Sequence, residues 1–420
     1  MVNEARLWSS LMEMAKIGAT EKGGVCRLAL TDVDRQARDL FVRWCREAGC
    51  TVSVDQMGNI FGRREGRNPS LPPVITGSHI DSQPTGGRFD GIYGVMAALE
   101  VVRTMNDQSL TTEAPVEIVA WTDEEGSRFS PCMLGSGVFA GVFPLAFGRE
   151  VRDADGKTVG DELARIGYLG DRSATGRPVG AYFEAHIEQG PILENEGKTI
   201  GVVTGALGQK WFDVTITGEE SHAGPTPMHL RRDALVGAAR LVTEVNRIGH
   251  AFLPDACATV GSLRVHPNSR NVIPGQVMLT VDLRHSDSQR LDGMVDETRQ
   301  ALDRIGRELR LETSIAAVAD FAPTSFDPAC VSVVRESAAA LGYSLRDIVS
   351  GAGHDAIFLA RIAPTAMIFV PCERGLSHNE RENATPSDLA AGCNVLLRAV
   401  LDRAGGAERG DRRAAAARVA

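Results

Sequence analysis

VITGSHIDSQPTGGRFDGIYGV, residues 74–95, runs from a short β-branched strand through a histidine, two aspartates and five glycines into an apolar helix. The polar groups His79, Asp81 and Asp90 follow the end of the strand. Ligands of open α/β sheets bind outside the carboxyl ends of the strands, and histidine with carboxylate is a donor set of catalytic metal sites. The stretch therefore predicts a parallel sheet with a cation site at its carboxyl edge.

Three further segments place ligand-type side chains where a predicted strand ends. AWTDEEGSRF carries Glu124 and Glu125, AYFEAHIEQGP carries His186, and the loop after TAMIFVP carries His378. Each feature alone is more often an ordinary turn, surface or core feature. Because four predicted strand ends supply such groups, a shared metal site is the better interpretation.

Composition excludes several classes of protein. The chain has 420 residues, of which 43% are hydrophobic, and a net charge of −9, so it has no broad basic face for nucleic acid or an anionic membrane. The N-terminus lacks the pattern of a signal peptide, and no 18-residue apolar run follows. Eight cysteines without a C-x-x-C pair are typical of reduced core residues. We expect a cytoplasmic protein.

Hydrophobic periodicity predicts an α/β fold. Amphipathic helices are expected at 5–17 and 32–48, and strands at 74–76 and 116–122 flank a helix at 91–105. This βαβ order favours a mixed, mostly parallel sheet with helices on both faces.

The middle of the chain has a different pattern. Its order is β-α-β-β-α, closed by a strand near 311–318, which is typical of a ferredoxin-like α+β insert. We therefore expect one discontinuous domain at 1–209 and 328–404, an inserted domain at 210–327, and a disordered tail at 405–420.

Six motifs, in this order and spacing, carry a family resemblance: GSHIDSQPTGGRFDGIYGV, TDEEGSRF, HIEQGP, SHAGPTPM, RNVIPG and SHNERE. Together they resemble the branch of the aminoacylase-like dinuclear zinc peptidases that contains N-carbamoyl amino acid amidohydrolases, β-ureidopropionases and allantoate amidohydrolases. The resemblance covers about residues 5–400. It implies a zinc-peptidase-like catalytic domain and an inserted lid and dimerisation domain.

The resemblance also implies a set of metal ligands. His79, Asp90 and His186 would hold one divalent ion, and Asp90, Glu125 and His378 the other, with Asp90 bridging. Zinc is the expected metal, and the same donors suit manganese, cobalt and nickel. Peptidase relatives usually have an acidic residue at the position of His186, so this histidine favours the amidohydrolase branch.

Further roles follow from the same motifs. Glu124 would be the general base, Asp81 would hydrogen-bond the His79 imidazole, and His222 would donate to the oxyanion in the partner subunit's active site of a homodimer. The expected substrate contacts are Gln189, Gln209, His222, Asn271, Arg284 and Gly353. Other interpretations stay open: His222 as an ordinary turn residue, Arg284 as a surface strand arginine, and the residues after Gly353 as a helix start.

The expected activity is hydrolysis of an N-carbamoyl α- or β-amino acid to the amino acid, carbon dioxide and ammonia. Allantoate is the alternative substrate within the same branch. An aminoacylase or dipeptidase would need an acidic ligand at position 186, where this chain has histidine. A metal-free binding relative would have lost ligands, and all five are present.

Overall fold

The computed structural model describes residues 1–406, which form two compact units. Unit 1 comprises Met1–Thr204 and the described part of Ser325–Ala420, and unit 2 is Gly205–Thr324. The chain leaves unit 1 once and returns to it once, as an inserted domain does. Most of the segment predicted as a disordered tail, residues 407–420, lies outside the described residues.

Unit 1 alternates strands and helices along the chain. Its strands are β1 Thr51–Val54, β2 Ile60–Arg64, β3 Val74–His79, β4 Val116–Trp121, β5 Ala181–Ile187, β6 Ile200–Ala206, β13 Thr324–Ser325, β14 Leu345–Ser350 and β15 Thr365–Val370, where β6 and β13 contain the crossings to unit 2. Its helices are α1 Glu4–Met14, α2 Asp32–Glu47, α3 Ile92–Asp107, α4 Leu134–Phe139, α5 Leu145–Glu150, α6 Val159–Ile166, α7 Ile192–Glu196, α10 Pro328–Ala340, α11 Asp355–Leu359 and α12 Pro386–Arg403.

The sheet of unit 1 is parallel in its centre. The strand order is β1-β2-β4-β3-β5-β15-β6-β13, and β14 also pairs with β6. The neighbours β4, β3, β5 and β15 run parallel, whereas β1, β2 and β6 are antiparallel to their partners. The four parallel strands are buried along their whole length, as happens when helices cover both faces of a sheet. The predicted fold class is confirmed.

Local sequence explains where the helices of unit 1 begin. The Thr31 hydroxyl accepts a hydrogen bond from the Asp34 amide at 3.2 Å, so α2 begins where the sequence predicted. Helix α3 instead begins after Gly91, whose φ is 65°. A Cβ at Gly91 would lie 2.2 Å from the His79 ring, so only glycine lets this loop approach the histidine.

Unit 2 is a four-stranded antiparallel sheet with two long helices. Its main elements are β7 Gly208–Thr217, α8 Ala234–Ala251, β9 Cys257–His266, β11 Gln276–His285, α9 Ser288–Leu309 and β12 Glu312–Phe321, and a short pair, β8 Ser221–His222 with β10 Val272–Ile273, lies beside them. The strand order β12-β7-β11-β9 and the β-α-β-β-α-β sequence are those of a ferredoxin-like unit. Each unit has its own hydrophobic core.

Two global features concern thiols and membranes. All eight cysteines are free thiols. Within residues 1–406, none of the helices combines the length and the apolar character that a bilayer crossing requires.

Candidate metal centre

The ends of the four parallel strands bring the predicted ligands to one edge of the sheet. His79 is the last residue of β3 and His186 lies near the end of β5. Glu124 and Glu125 follow the end of β4, and His378 lies in the loop after β15. Because β4, β3, β5 and β15 are consecutive neighbours, side chains from distant parts of the sequence meet there.

Two clusters of ligand atoms share one aspartate. His79, Asp90 and His186 each offer a ligand atom, and these atoms lie within 4.8 Å of one another. Asp90, Glu125 and His378 form a second such cluster. The Asp90 Oδ1 atom lies 3.3 Å from His186 Nε2, and its Oδ2 atom lies 3.3 Å from His378 Nε2. One oxygen therefore faces each cluster, which is the arrangement that a bridging carboxylate needs.

Backbone contacts orient the two buried imidazoles. His79 Nδ1 lies 2.9 Å from the Asp81 carbonyl oxygen, and His186 Nδ1 lies 2.9 Å from the Ile187 carbonyl oxygen. A carbonyl only accepts hydrogen bonds, so each Nδ1 carries the hydrogen and Nε2 is the nitrogen that faces the cluster. His186 Nε2 also accepts from the Gly91 amide at 3.1 Å. This orientation by the second nitrogen is usual for metal-binding histidines. The donor set therefore fits a divalent cation.

Several carboxyl groups lie close together in this buried place. Burial and then the Asp90 carboxylate raise the pKa of Glu125 to about 8. Burial and the nearby Asp355 carboxylate raise the pKa of Glu124 well above its ordinary value. Burial lowers the pKa of His79 to about 4, which keeps its ring neutral near pH 7. Divalent cations would favour the ionised carboxylates by opposing the repulsion between them.

Glu124 differs from Glu125 in its position. Its Oε2 atom lies 3.5 Å from His79 Nε2, but Glu124 belongs to neither cluster of three ligands. The side chain is buried and borders a cavity of about 130 Å³. A carboxylate beside the clusters that is not needed as a ligand is free to exchange a proton with a reacting group.

Asp81 contacts the His79 imidazole through its backbone carbonyl and not through its carboxylate. Its Oδ1 atom lies 3.8 Å from His79 Nδ1, too far for a hydrogen bond, because the Asp81 backbone carbonyl already occupies that nitrogen. The two carboxylate oxygens instead accept from the Glu124 amide at 3.3 Å and the Glu125 amide at 3.2 Å. Asp81 thus holds the loop that carries both glutamates.

Three residues other than glycine in the loops of this centre have positive φ angles. Asp123, Gln189 and His378 have φ angles of 56°, 58° and 51°, a region that residues other than glycine rarely adopt. Each residue is itself a predicted site residue or directly precedes one. Such strained conformations persist where the surrounding structure fixes them, and they are common at functional sites.

Two predicted substrate contacts also border the cavity. Gln189 donates from Nε2 to the two Asp90 oxygens at 3.0 and 3.1 Å, and Gly353 also lines the cavity. The sequence did not indicate Gln83, whose Nε2 donates to Glu125 Oε2 at 2.7 Å. Gln83 lies within the opening stretch, but a lone glutamine carries no signature that would distinguish it from a surface residue.

The other predicted contacts belong to unit 2, where they form two pairs. Asn271 accepts through its backbone oxygen from the Ala223 amide at 2.9 Å, next to His222. Gln209 and Arg284 are register partners on β7 and β11. The Arg284 Nη2 atom lies 2.8 Å from Asp282 Oδ2, so Asp282 orients one edge of this guanidinium.

Comparison with known proteins gives a consistent result. Residues 75–402 match the model of the peptidase family M20/M25/M40. An N-carbamoyl-L-amino-acid amidohydrolase of Rhizobium meliloti is 51% identical over 96% of this chain and 97% of its own length. An allantoate amidohydrolase of Bacillus subtilis is 33% identical over 91% of this chain and 93% of its own length. A crystal structure of an amidase of the hydantoinase/carbamoylase family from Burkholderia multivorans is 62% identical, covers 96% of this chain and 98% of its own, and superposes with a TM-score of 0.95.

Proposed function

The chain belongs to the peptidase family M20/M25/M40, and from that premise we propose that it hydrolyses the carbamoyl C–N bond of N-carbamoyl amino acids. Cleavage releases ammonia and leaves an N-carboxy amino acid, which then breaks down to carbon dioxide and the free amino acid. The observation that carries this proposal is the pair of ligand clusters around Asp90 in which the ligand from β5 is His186. The 51% identical amidohydrolase supports the same substrate class.

The proposed cofactor is two divalent ions per subunit. His79, Asp90 and His186 would hold one ion, and Asp90, Glu125 and His378 the other. Zinc is the first choice, and manganese, cobalt and nickel suit the same histidine and carboxylate donors. When bound, such ions lower the pKa of water to about 7 and polarise a carbonyl oxygen.

The side chains of this protein would do the rest of the chemistry. Glu124 takes a proton from the attacking water and passes it to the departing ammonia. His222 donates a hydrogen bond to the oxyanion. Its Nδ1 atom accepts from the Gly224 amide at 3.0 Å. In a neutral ring the hydrogen is therefore on Nε2, which is the atom that donates. Arg284 binds the substrate carboxylate, and Gln189, Gln209, Asn271 and Gly353 complete the substrate site.

The proposal is tested by ammonia release from a panel of ureido acids. The panel contains N-carbamoyl-β-alanine, several N-carbamoyl-L-α-amino acids, their D forms and allantoate. We expect N-carbamoyl amino acids to be hydrolysed with the highest kcat/KM, and we expect a chelator to remove the activity and added divalent metal to restore it. Turnover of none of these compounds by metal-loaded protein would overturn the proposal.

Allantoate is the second candidate substrate. It is favoured by the 33% identity to the allantoate amidohydrolase of Bacillus subtilis, and it would be selected if allantoate gave the highest kcat/KM of the panel. An aminoacylase or dipeptidase activity is disfavoured by His186. The presence of both ligand clusters disfavours a metal-free binding protein. The free cysteines suit the cytoplasm as the proposed location.

We expect that loss of Arg284 will mainly weaken substrate binding. A hydrogen bond to a charged group contributes about 1.5–3 kcal/mol, so Arg284→Ala should raise KM at least about tenfold, since 1.4 kcal/mol corresponds to a factor of ten. Steady-state kinetics measures the effect. Arg240→Ala is the matched control, because Arg240 is an exposed helix arginine of unit 2 that pairs with Glu308. An unchanged KM in Arg284→Ala would remove Arg284 from the substrate site.

The proposed homodimer gives His222 a test of its own. If His222 acts in the partner subunit's site, His222→Ala and Glu124→Gln subunits should complement each other. Each mixed dimer would contain one site with both groups and one with neither, so we expect up to half of the wild-type activity per mixed dimer. Native mass spectrometry measures subunit exchange. Exchange without recovery would show that His222 does not act across subunits.

A further inference from the structure

Glu382 is a buried carboxylate to which the proposed reaction gives no role. It lies four residues after His378 in the motif SHNERE, and its side chain is 1% exposed. Its Oε1 atom accepts from the Phe89 amide at 2.8 Å and from the Asp90 amide at 3.1 Å. Its Oε2 atom accepts from the Ser377 hydroxyl at 2.9 Å. The carboxylate therefore contacts the backbone of the loop that carries the shared aspartate.

The opposing loop is shaped to admit this carboxylate. A Cβ at Gly87 would lie 2.0 Å from the Cδ and Oε1 atoms of Glu382, which is closer than any non-bonded contact permits. Residue 87 must therefore be glycine if the carboxylate is to reach the Phe89 and Asp90 amides.

A second path joins Glu382 to the Asp90 side chain. The Ser377 hydroxyl lies 2.9 Å from Glu382 Oε2 and also 2.9 Å from Asp90 Oδ2. In the same turn the Glu382 amide donates to the Asn379 carbonyl at 2.9 Å, directly after His378. Glu382 thus links the loop of Asp90 to the loop of His378.

We propose that Glu382 is a positioning residue that fastens these two loops together, so that Asp90 presents one oxygen to each metal position. This inference rests on the proposed function, because it assumes that metal binds to Asp90. Glu382 itself belongs to neither cluster of ligand atoms, so its proposed role is to hold the loops and not the metal. Removing such a supporting contact typically lowers metal affinity about 10- to 100-fold.

The test measures metal binding rather than turnover. Wild type, Glu382→Ala and Glu382→Gln are loaded with zinc, and the zinc dissociation constants are measured by competition with a chromogenic chelator. Glu382→Ala should bind zinc about 10- to 100-fold more weakly. Glu382→Gln should stay within a few fold of wild type, because its Oε1 can accept from both amides while its Nε2 donates to Ser377.

Two further variants guard against a general loss of structure. Glu100→Ala is the matched control, since Glu100 is a fully buried carboxylate that accepts from the Asn3 amide at 3.0 Å and from Arg6 Nε at 2.7 Å, and it has no part in the metal clusters. It should retain zinc once folded. Gly87→Ala displaces the Glu382 carboxylate without removing it and should weaken zinc binding as Glu382→Ala does. Circular dichroism establishes whether each variant is folded. If Glu382→Ala does not fold, the zinc affinity of Gly87→Ala decides the result.

The outcomes separate this inference from the proposed function. Wild-type protein that binds no divalent metal would overturn the proposed function and this inference with it. Wild type that binds zinc, together with folded Glu382→Ala and Gly87→Ala that bind it equally tightly, would overturn only the positioning role. Zinc binding in Glu382→Gln as weak as in Glu382→Ala would also overturn it, by showing that the charge rather than the hydrogen bonds is required.

Discussion

Asp90→Ala is expected to release metal from both positions and to reduce hydrolysis to the background rate. The two Asp90 oxygens lie 3.3 Å from His186 Nε2 and 3.3 Å from His378 Nε2, so one substitution removes a ligand from each cluster. Each cluster would then keep two ligands, whereas a catalytic zinc site usually has three protein ligands. Elemental analysis of the purified variant measures the metal content, and ammonia release measures the activity.

His378→Ala is the matched comparison for this prediction. His378 belongs to only one of the clusters, so its loss should lower occupancy mainly at the position shared by Asp90 and Glu125. The second ion should remain. Full metal occupancy in Asp90→Ala would contradict the bridging role and with it the proposed centre.

Glu124→Gln is expected to keep both metals and the fold while kcat falls by about two to four powers of ten, the usual contribution of a general acid–base group. The amide has nearly the same shape as the carboxylate but cannot accept a proton from water. Glu124 lies outside both ligand clusters, which is why metal content should not change. Steady-state kinetics and elemental analysis of the same sample measure the two quantities together.

Glu125→Gln serves as the control, because it replaces the neighbouring glutamate by the same amide. Glu125 is a member of the cluster with Asp90 and His378, so this variant should lose metal as well as activity. Near-normal kcat in Glu124→Gln would place the base elsewhere, and metal loss in that variant would make Glu124 a ligand.

Much of the fold is predictable because its signals are local. Thr31 places the start of α2, and the alternating pattern of QVMLTVDLRH gives β11 with the bounds observed, Gln276–His285. The run TAMIFV, apolar after Thr365, gives the buried strand β15. The predictions for β3 and α3 were each short by two or more residues at one end, since polar residues such as His79 and Asp107 give no hydrophobic signal.

The antiparallel margins of the sheet were not predictable in the same way. Strands β1 and β2 form a hairpin, and β2 also pairs with β4. In that second pairing Ile60 is the partner of Ala120, and Arg64 is the partner of Val116. Pairing of this kind depends on contacts far apart in the sequence. A short segment carries no information about its distant neighbour, so only the assembled sheet determines it.

The sequence by itself predicted the types of candidate ligand, the strands that present them and a two-part organisation, because residue type, order and periodicity are properties of the chain. Tertiary structure alone decided which atoms meet: the Asp81 carbonyl rather than its carboxylate at His79, one Asp90 oxygen for each cluster, and Glu382 against the Phe89 and Asp90 amides. The Glu382 contacts join residues separated by 293 and 292 positions. Hydrogen bonds depend on ångström-scale distances and on angles that exist only once the loops have folded against one another, and no local pattern of residues encodes them.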